Sequence, residues 1–201
     1  MVKNFTEEDI LQLKIKLRKT CAYFWKTKGY KLTSVAVLTK EVGISTGSFY
    51  RLYETKEELF LEVFWMIQNQ LKEKWDQVIQ STKGIEGFKN ALKMLFREYA
   101  EHPMLYNFNN ADLLLFLKKI PTEEIESLKE NNKEFFSNSI KLSGLDLKIP
   151  KEQAYGIFST LLFTATMEKD FGHNKFEIFD FLLESSIYKI LAIKNSGGNH
   201  P

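Results

Sequence analysis

Between Thr33 and Leu59 the chain carries a helix too short to stand alone, hemmed in by residues that fix how it must be held. The run opens with Thr33 or Ser34 as a helix N-cap, followed by apolar Val35, Leu38 and Val42 along one helical face. Gly43 supplies the left-handed residue that stops this helix and turns the chain, and Ile44 plugs the corner. Ser45 then caps a second helix that reaches only to Arg51. Isolated helices below ~12 residues are marginal in water. This one must therefore be braced by packing, through Phe49, Leu52 and Tyr53. Thr55-Lys56-Glu57-Glu58 has the form of a capping box and opens a long apolar-periodic helix to about Ser81. Two short helices around a glycine turn form a helix-turn-helix, whose second helix can enter a DNA major groove.

The segment resembles the DNA-binding domain of the TetR family of transcriptional regulators. The resemblance is carried by Thr33-Ser34-Val35, Leu38, Gly43-Ile44-Ser45, Gly47, Phe49-Tyr50, Tyr53, Lys56 and Leu59. It extends back through Cys21-Ala22, Phe24-Trp25 and Gly29-Tyr30, without a gap, and covers roughly the first 60 residues. Two positions depart from the family pattern. Thr39 stands where alanine is usual, which implies a wider helix crossing. Ala36 and Val37 stand where charged residues are common, which implies fewer backbone contacts from the first helix.

Charge agrees in its placement, not in its total. Between Ile10 and Lys56 there are ten basic residues and two acidic ones, a local charge of +8 in a chain of net charge +2, so the remainder carries −6. A basic end on an otherwise acidic molecule is the footprint of a DNA reader. Taken alone, it equally fits a solvated lysine-rich helix face.

The rest of the chain reads as all-α. A first helix from about Thr6 to Lys28 has Ile10, Leu13, Leu17, Cys21, Phe24 and Trp25 on one stripe and ends at Gly29; Cys21 is expected to be a small buried hydrophobe. After the long helix come Ile85 to Glu101, a very apolar helix Met104 to Lys119, and a helix from Pro121 to Gly144. A loop to Pro150, a helix Lys151 to Phe171 ended by Gly172, and a last helix from Asn174 follow. The expected architecture is an N-terminal three-helix domain with a helix-turn-helix over 1–56, a larger helical bundle over 57–195, and a disordered tail over 196–201.

On the short helix, Phe49 and Leu52 turn inward, which leaves Thr46, Gly47, Ser48, Tyr50 and Arg51 outward beside Ser45. Small hydroxyls and a glycine let a helix sit deep in a groove, and Arg51 is the best candidate to read guanine. Tyr50, Lys56, Thr33 and Ser34 are expected on phosphates, where they set register rather than sequence. The family positions matching Tyr50 and Lys56 contact the DNA backbone. The resemblance further implies that the bundle binds a small-molecule effector and forms a homodimer through its last two helices. Tyr99, Phe108, Asn109, Phe116, Phe135 and Met167 are candidate pocket residues, aromatic walls with polar handles.

Other classes find little support. His102, His173 and His200 lie far apart, without metal-ligand spacing, and no phosphate loop, nucleophile elbow or Cys-x-x-Cys occurs. No enzyme, cofactor or metal is expected. No apolar run approaches the ~20 residues of a membrane span, and one cysteine allows no intrachain disulfide, which fits a cytoplasmic protein. The expectation is therefore a regulator of double-stranded operator DNA, a repressor released by its effector. The alternatives are an activator or global regulator without a ligand, and a helical module that binds protein.

Overall fold

Helix α1 (Glu7–Leu32) begins where Thr6 and Asp9 exchange hydrogen bonds: the Asp9 N–H donates to the Thr6 hydroxyl at 3.1 Å and the Thr6 N–H to the Asp9 carboxylate at 3.0 Å. Glu7, Glu8 and Asp9 also suit the positive end of the helix dipole. The computed structural model describes residues 6–167 and 174–194. The expected helix limits Phe171 and Gly172 and the tail 196–201 lie outside these residues, as do His173 and His200.

The packing divides the chain into two compact units. One comprises residues 1–70 and 102–122, the other 71–101 and 123–201. In the first, α1 packs with α2 (Val35–Val42) and with the first part of α4 (Lys56–Ser81), and α2 packs with α3 (Thr46–Tyr50). Leu17, Cys21, Trp25, Leu38, Phe49, Leu59 and Phe60 are fully buried. Burial pushes the Cys21 thiol well above its ordinary value, which matches an inert core residue.

The segment 102–122 completes this unit, and it is not the single helix that its apolarity predicts. Two helices form instead, α6 (Pro103–Tyr106) and α7 (Ala111–Leu117). Asparagine side chains favour caps and turns over helix interiors, and three of them break the run. Asn107 accepts from the Asn109 N–H at 3.0 Å, and Asn110 caps α7 by accepting from the Asp112 N–H at 2.8 Å. Only one face of α7 is buried: Leu113 and Phe116 are inside, whereas Leu114 and Leu115 are exposed. Phe116 lies against Trp25, with ring centroids 4.9 Å apart, and within 6.3 Å of Tyr30, Phe60 and Phe64.

The second unit holds the rest of α4, α5 (Gly84–Glu101), α8 (Thr122–Leu142), α9 (Lys151–Phe163), a 3-10 turn Thr164–Thr166 and α10 (Lys175–Ile190). Trp75, Phe88, Phe96, Phe158 and Phe179 form its aromatic core, with Phe96 and Phe179 stacked at 4.2 Å. Lys89 is buried and answered by Glu86 at 2.9 Å and Glu184 at 2.8 Å. Burial alone would lower the Lys89 ammonium; the hydrogen bonds to Glu184 and Glu86 outweigh it and hold the group above the usual lysine value.

The all-α expectation holds, with one small addition. Leu145–Leu147 and Leu191–Ile193 pair as an antiparallel ribbon, β1 and β2, in the register Leu145↔Ile193, Asp146↔Ala192 and Leu147↔Leu191. The Lys148 N–H to Ile190 O (2.8 Å) and the Lys194 N–H to Gly144 O (2.9 Å) extend it. The sequence predicts only a loop for the first strand, because three residues carry no period that betrays a partner so far along the chain.

Candidate nucleic-acid interface

The helix-turn-helix forms as its caps dictate. The Ser34 hydroxyl accepts from the Val37 N–H at 3.2 Å and starts α2. Gly43, at φ 78° and ψ 35°, ends it, and the N–H groups of Gly43 and Ile44 both return to the Thr39 carbonyl at 3.0 Å. The Ser45 hydroxyl accepts from the Ser48 N–H at 3.1 Å and starts α3. Thr39 is buried, its hydroxyl donating to the Val35 carbonyl at 2.8 Å, so the departure from alanine is absorbed within α2. At the start of α4 the Thr55 hydroxyl accepts from the Glu58 N–H at 3.1 Å. The Glu58 carboxylate takes the Glu54 N–H at 2.7 Å, one residue before the N-cap.

Phe49 is wholly buried and flanked by the rings of Tyr50 at 5.3 Å and Tyr53 at 5.8 Å, so it fixes which side of α3 faces in. The opposite side is open. Ser45, Thr46, Gly47, Tyr50 and Arg51 are exposed, Tyr50 to 53%, and Ser48 is half-exposed. Arg51 stands at the C-cap of α3. Ser34 is half-exposed at the start of α2.

Two of the residues expected on phosphates make contacts within the protein. Thr33 is fully buried, and its hydroxyl donates to the Gly29 carbonyl at 2.6 Å. It closes the end of α1 and offers nothing to a phosphate. Lys56 is half-buried. Its ammonium donates to the Tyr30 carbonyl at 2.6 Å and sits 3.7 Å above the Tyr30 ring. Burial, foremost, lowers it from the ordinary lysine value. Lys56 thus ties α4 to the end of α1. Sequence spacing gives no sign of this tie, because Tyr30 lies 26 residues away and only packing brings the two together.

Around Tyr30 lies a polar cluster that pattern reading missed. The Tyr30 hydroxyl donates to Glu57, which also accepts from Lys119 at 3.0 Å. Burial, followed by the bond to Glu57, pushes the Tyr30 phenol up to about 12. Burial alone would raise the Glu57 carboxyl; the bonds from Tyr30 and Lys119 overcome it and hold the group below its ordinary 4.5. A carboxyl depressed in the folded state adds stability that is complete above that ordinary value and is lost as pH falls through the folded one. The gap in urea midpoint between wild type and Glu57→Gln should therefore narrow as pH drops below 4.5. A gap that does not change with pH would contradict this role.

The six pocket candidates do not share one unit. Phe108, Asn109 and Phe116 belong to the first, and Tyr99, Phe135 and Met167 to the second. Phe116 is core, as described above. Phe108, Asn109 and Met167 are exposed, and Phe135 packs at 5.4 Å from Trp75. Tyr99 is half-buried, and burial, then Tyr155 nearby, pushes its phenol up to about 12. The second unit opens a groove of about 550 Å³ between α8 and α9, lined by residues that include Lys133, Lys141, Lys151, Glu152 and Tyr155, and none of the six lines it. Among the described residues no group of three or more His, Cys, Asp or Glu could hold a metal, and no helix is long and apolar enough to cross a membrane.

Residues 23–63 match the family of bacterial regulatory proteins, tetR family. An uncharacterized HTH-type transcriptional regulator of Bacillus subtilis (strain 168), YhgD, is 33% identical over 52 residues. That match spans 26% of this chain and 27% of the relative. Among solved structures, a TetR-family transcriptional regulator from Pectobacterium atrosepticum superimposes with a TM-score of 0.66 at 18% identity, covering 94% of this chain and 98% of that one. FadR from Bacillus subtilis, solved in complex with stearoyl-CoA, gives 0.58 at 16% identity over 86% and 96%. At such identities the structures speak for the fold, and the matched amino-terminal residues speak for the module. Residues 23–63 thus carry the helix-turn-helix module of the tetR family, and the chain as a whole has the fold of solved TetR-family regulators.

Proposed function

We propose that the chain is a homodimeric transcriptional repressor that binds a palindromic operator through α3 and is released by a small-molecule effector. The observation that carries this is the two-sidedness of α3. Phe49 is spent on the core, while Thr46, Gly47, Tyr50 and Arg51 face out. Within this reading Thr46, Gly47, Ser48 and Arg51 meet base edges, and Ser34, Ser45 and Tyr50 meet phosphates. Residues 1–56 are the DNA-reading part, and 57–195 carry effector binding and dimerisation.

The exposed apolar residues of α10, Ile178, Phe181 and Leu182, support a dimer through the last two helices; Phe181 is 72% exposed in the single chain. A twofold dimer would set two α3 helices about 34 Å apart, one DNA turn. The effector would favour a state in which that spacing is lost. The stearoyl-CoA bound to FadR supports an effector site in this fold. Helix α4 supplies residues to both compact units, which suits it to carry the change.

The test is a gel shift on the DNA upstream of the chain's own coding sequence, over a range of salt. Affinity should fall steeply as salt rises, because phosphate contacts release counterions. Arg51→Ala should relax discrimination between operator variants by about 1–3 kcal/mol. Unchanged discrimination would remove Arg51 as a base reader. No salt-dependent shift would leave a helix-turn-helix that binds protein.

A further inference from the structure

We infer that Asp112 is a positioning residue for DNA binding, a carboxylate clamp on the backbone that leads into the helix-turn-helix. This rests on the reading of α3 as a DNA reader. Gly29 leaves helical geometry inside α1, at φ 81° and ψ 174°. The turn presents two successive backbone N–H groups to one side chain: Tyr30 N–H donates to Asp112 Oδ2 and Lys31 N–H to Oδ1, the latter at 2.8 Å. A carboxylate with two acceptor oxygens matches this pair, and charge-assisted bonds of this kind are the strong ones. Asp112 is itself fixed, since its own N–H donates to the Asn110 cap of α7 at 2.8 Å.

The clamped residue is a junction. The Tyr30 N–H is held from α7, its carbonyl from α4 by Lys56, and its hydroxyl from α4 by Glu57. The next elements along the chain are Thr33, whose N–H and hydroxyl both close onto the Gly29 carbonyl, and Ser34, the cap of α2. The position of Asp112 therefore sets the start of α2, and through the Gly43 turn the seat of α3. A ligand or contact that moves α7 against α1 would act on the DNA-reading helix by this route, without touching it.

The test pairs two variants with two readouts on the full-length protein. Asp112→Asn keeps the shape but replaces one acceptor with a donor, so one N–H must lose its partner. Asp112→Glu keeps both acceptors on a longer arm. Asparagine should speed amide exchange at Tyr30 and Lys31, and at Val37 in α2, by tenfold or more, while Trp25 and Phe60 in the core stay protected. Affinity for the upstream DNA should fall about tenfold, some 1.4 kcal/mol, with an unchanged salt slope because no phosphate contact is lost. Glutamate should recover part of both effects. Wild-type exchange at Tyr30 and Lys31 in Asp112→Asn, or freed amides with undiminished DNA binding, would overturn the inference, as would a glutamate variant no better than asparagine. If wild type itself fails to shift the DNA, the functional reading falls, and exchange alone still decides whether the clamp governs α2.

Discussion

Phe49→Ala is expected to abolish operator binding and to destabilise the amino-terminal module by about 3–5 kcal/mol, the usual cost of deleting a buried phenylalanine. The residue is wholly buried, and it is the anchor of a five-residue helix. A helix of that length has no stability of its own, so its orientation is borrowed from the side chain that pins it. Removing the ring opens a cavity beneath α3 and takes one aromatic contact from each of Tyr50 and Tyr53. The loss should appear as a lowered urea midpoint and as rapid amide exchange through residues 46–51. Leu52 and Tyr53 remain as secondary anchors, both buried, so partial structure should persist. A variant that unfolds no more easily yet loses DNA binding would mean that Phe49 acts at the DNA and not in the core.

Gly29→Ala is the second. Two independent costs add there. The backbone at Gly29, φ 81° with ψ 174°, lies in a region open essentially to glycine alone and costs a residue with a Cβ about 1–3 kcal/mol. A Cβ at Gly29 would also overlap the Met104 side chain and an Asp112 carboxylate oxygen. The Met104 methyl can swing away, but the carboxylate is held by two N–H groups and cannot do so without releasing them. Gly43→Ala provides the comparison: its backbone is left-handed helical, φ 78° and ψ 35°, a milder region for a Cβ, and nothing lies within 4 Å of that Cβ. Gly29→Ala should therefore destabilise by more than Gly43→Ala in urea denaturation, the excess combining the crowding with the harsher backbone region. Equal losses would show that neither the crowding nor the difference in ψ is felt at Gly29.

What the sequence determined was whatever depends on neighbours along the chain. The caps Thr6, Ser34, Ser45 and Thr55, the Gly43 stop and the inward face of α3 follow from contacts three or four residues apart, and the structure shows each of them. The two-sided character of α3 was legible for the same reason. The division of Met104–Lys119 was written there as well, in its three asparagines, but the apolar run Leu113–Leu117 outweighed them in pattern reading. Only tertiary structure decided the rest. Lys56 and Thr33 are polar residues at positions that a linear reading turns toward DNA, yet the carbonyls of Tyr30 and Gly29 claim them. Asp112 reads as an ordinary first-turn acid, and its two amide partners lie some 80 residues earlier in the chain. Periodicity reports which way a side chain points around its own helix; it holds no record of what a distant segment brings to meet it.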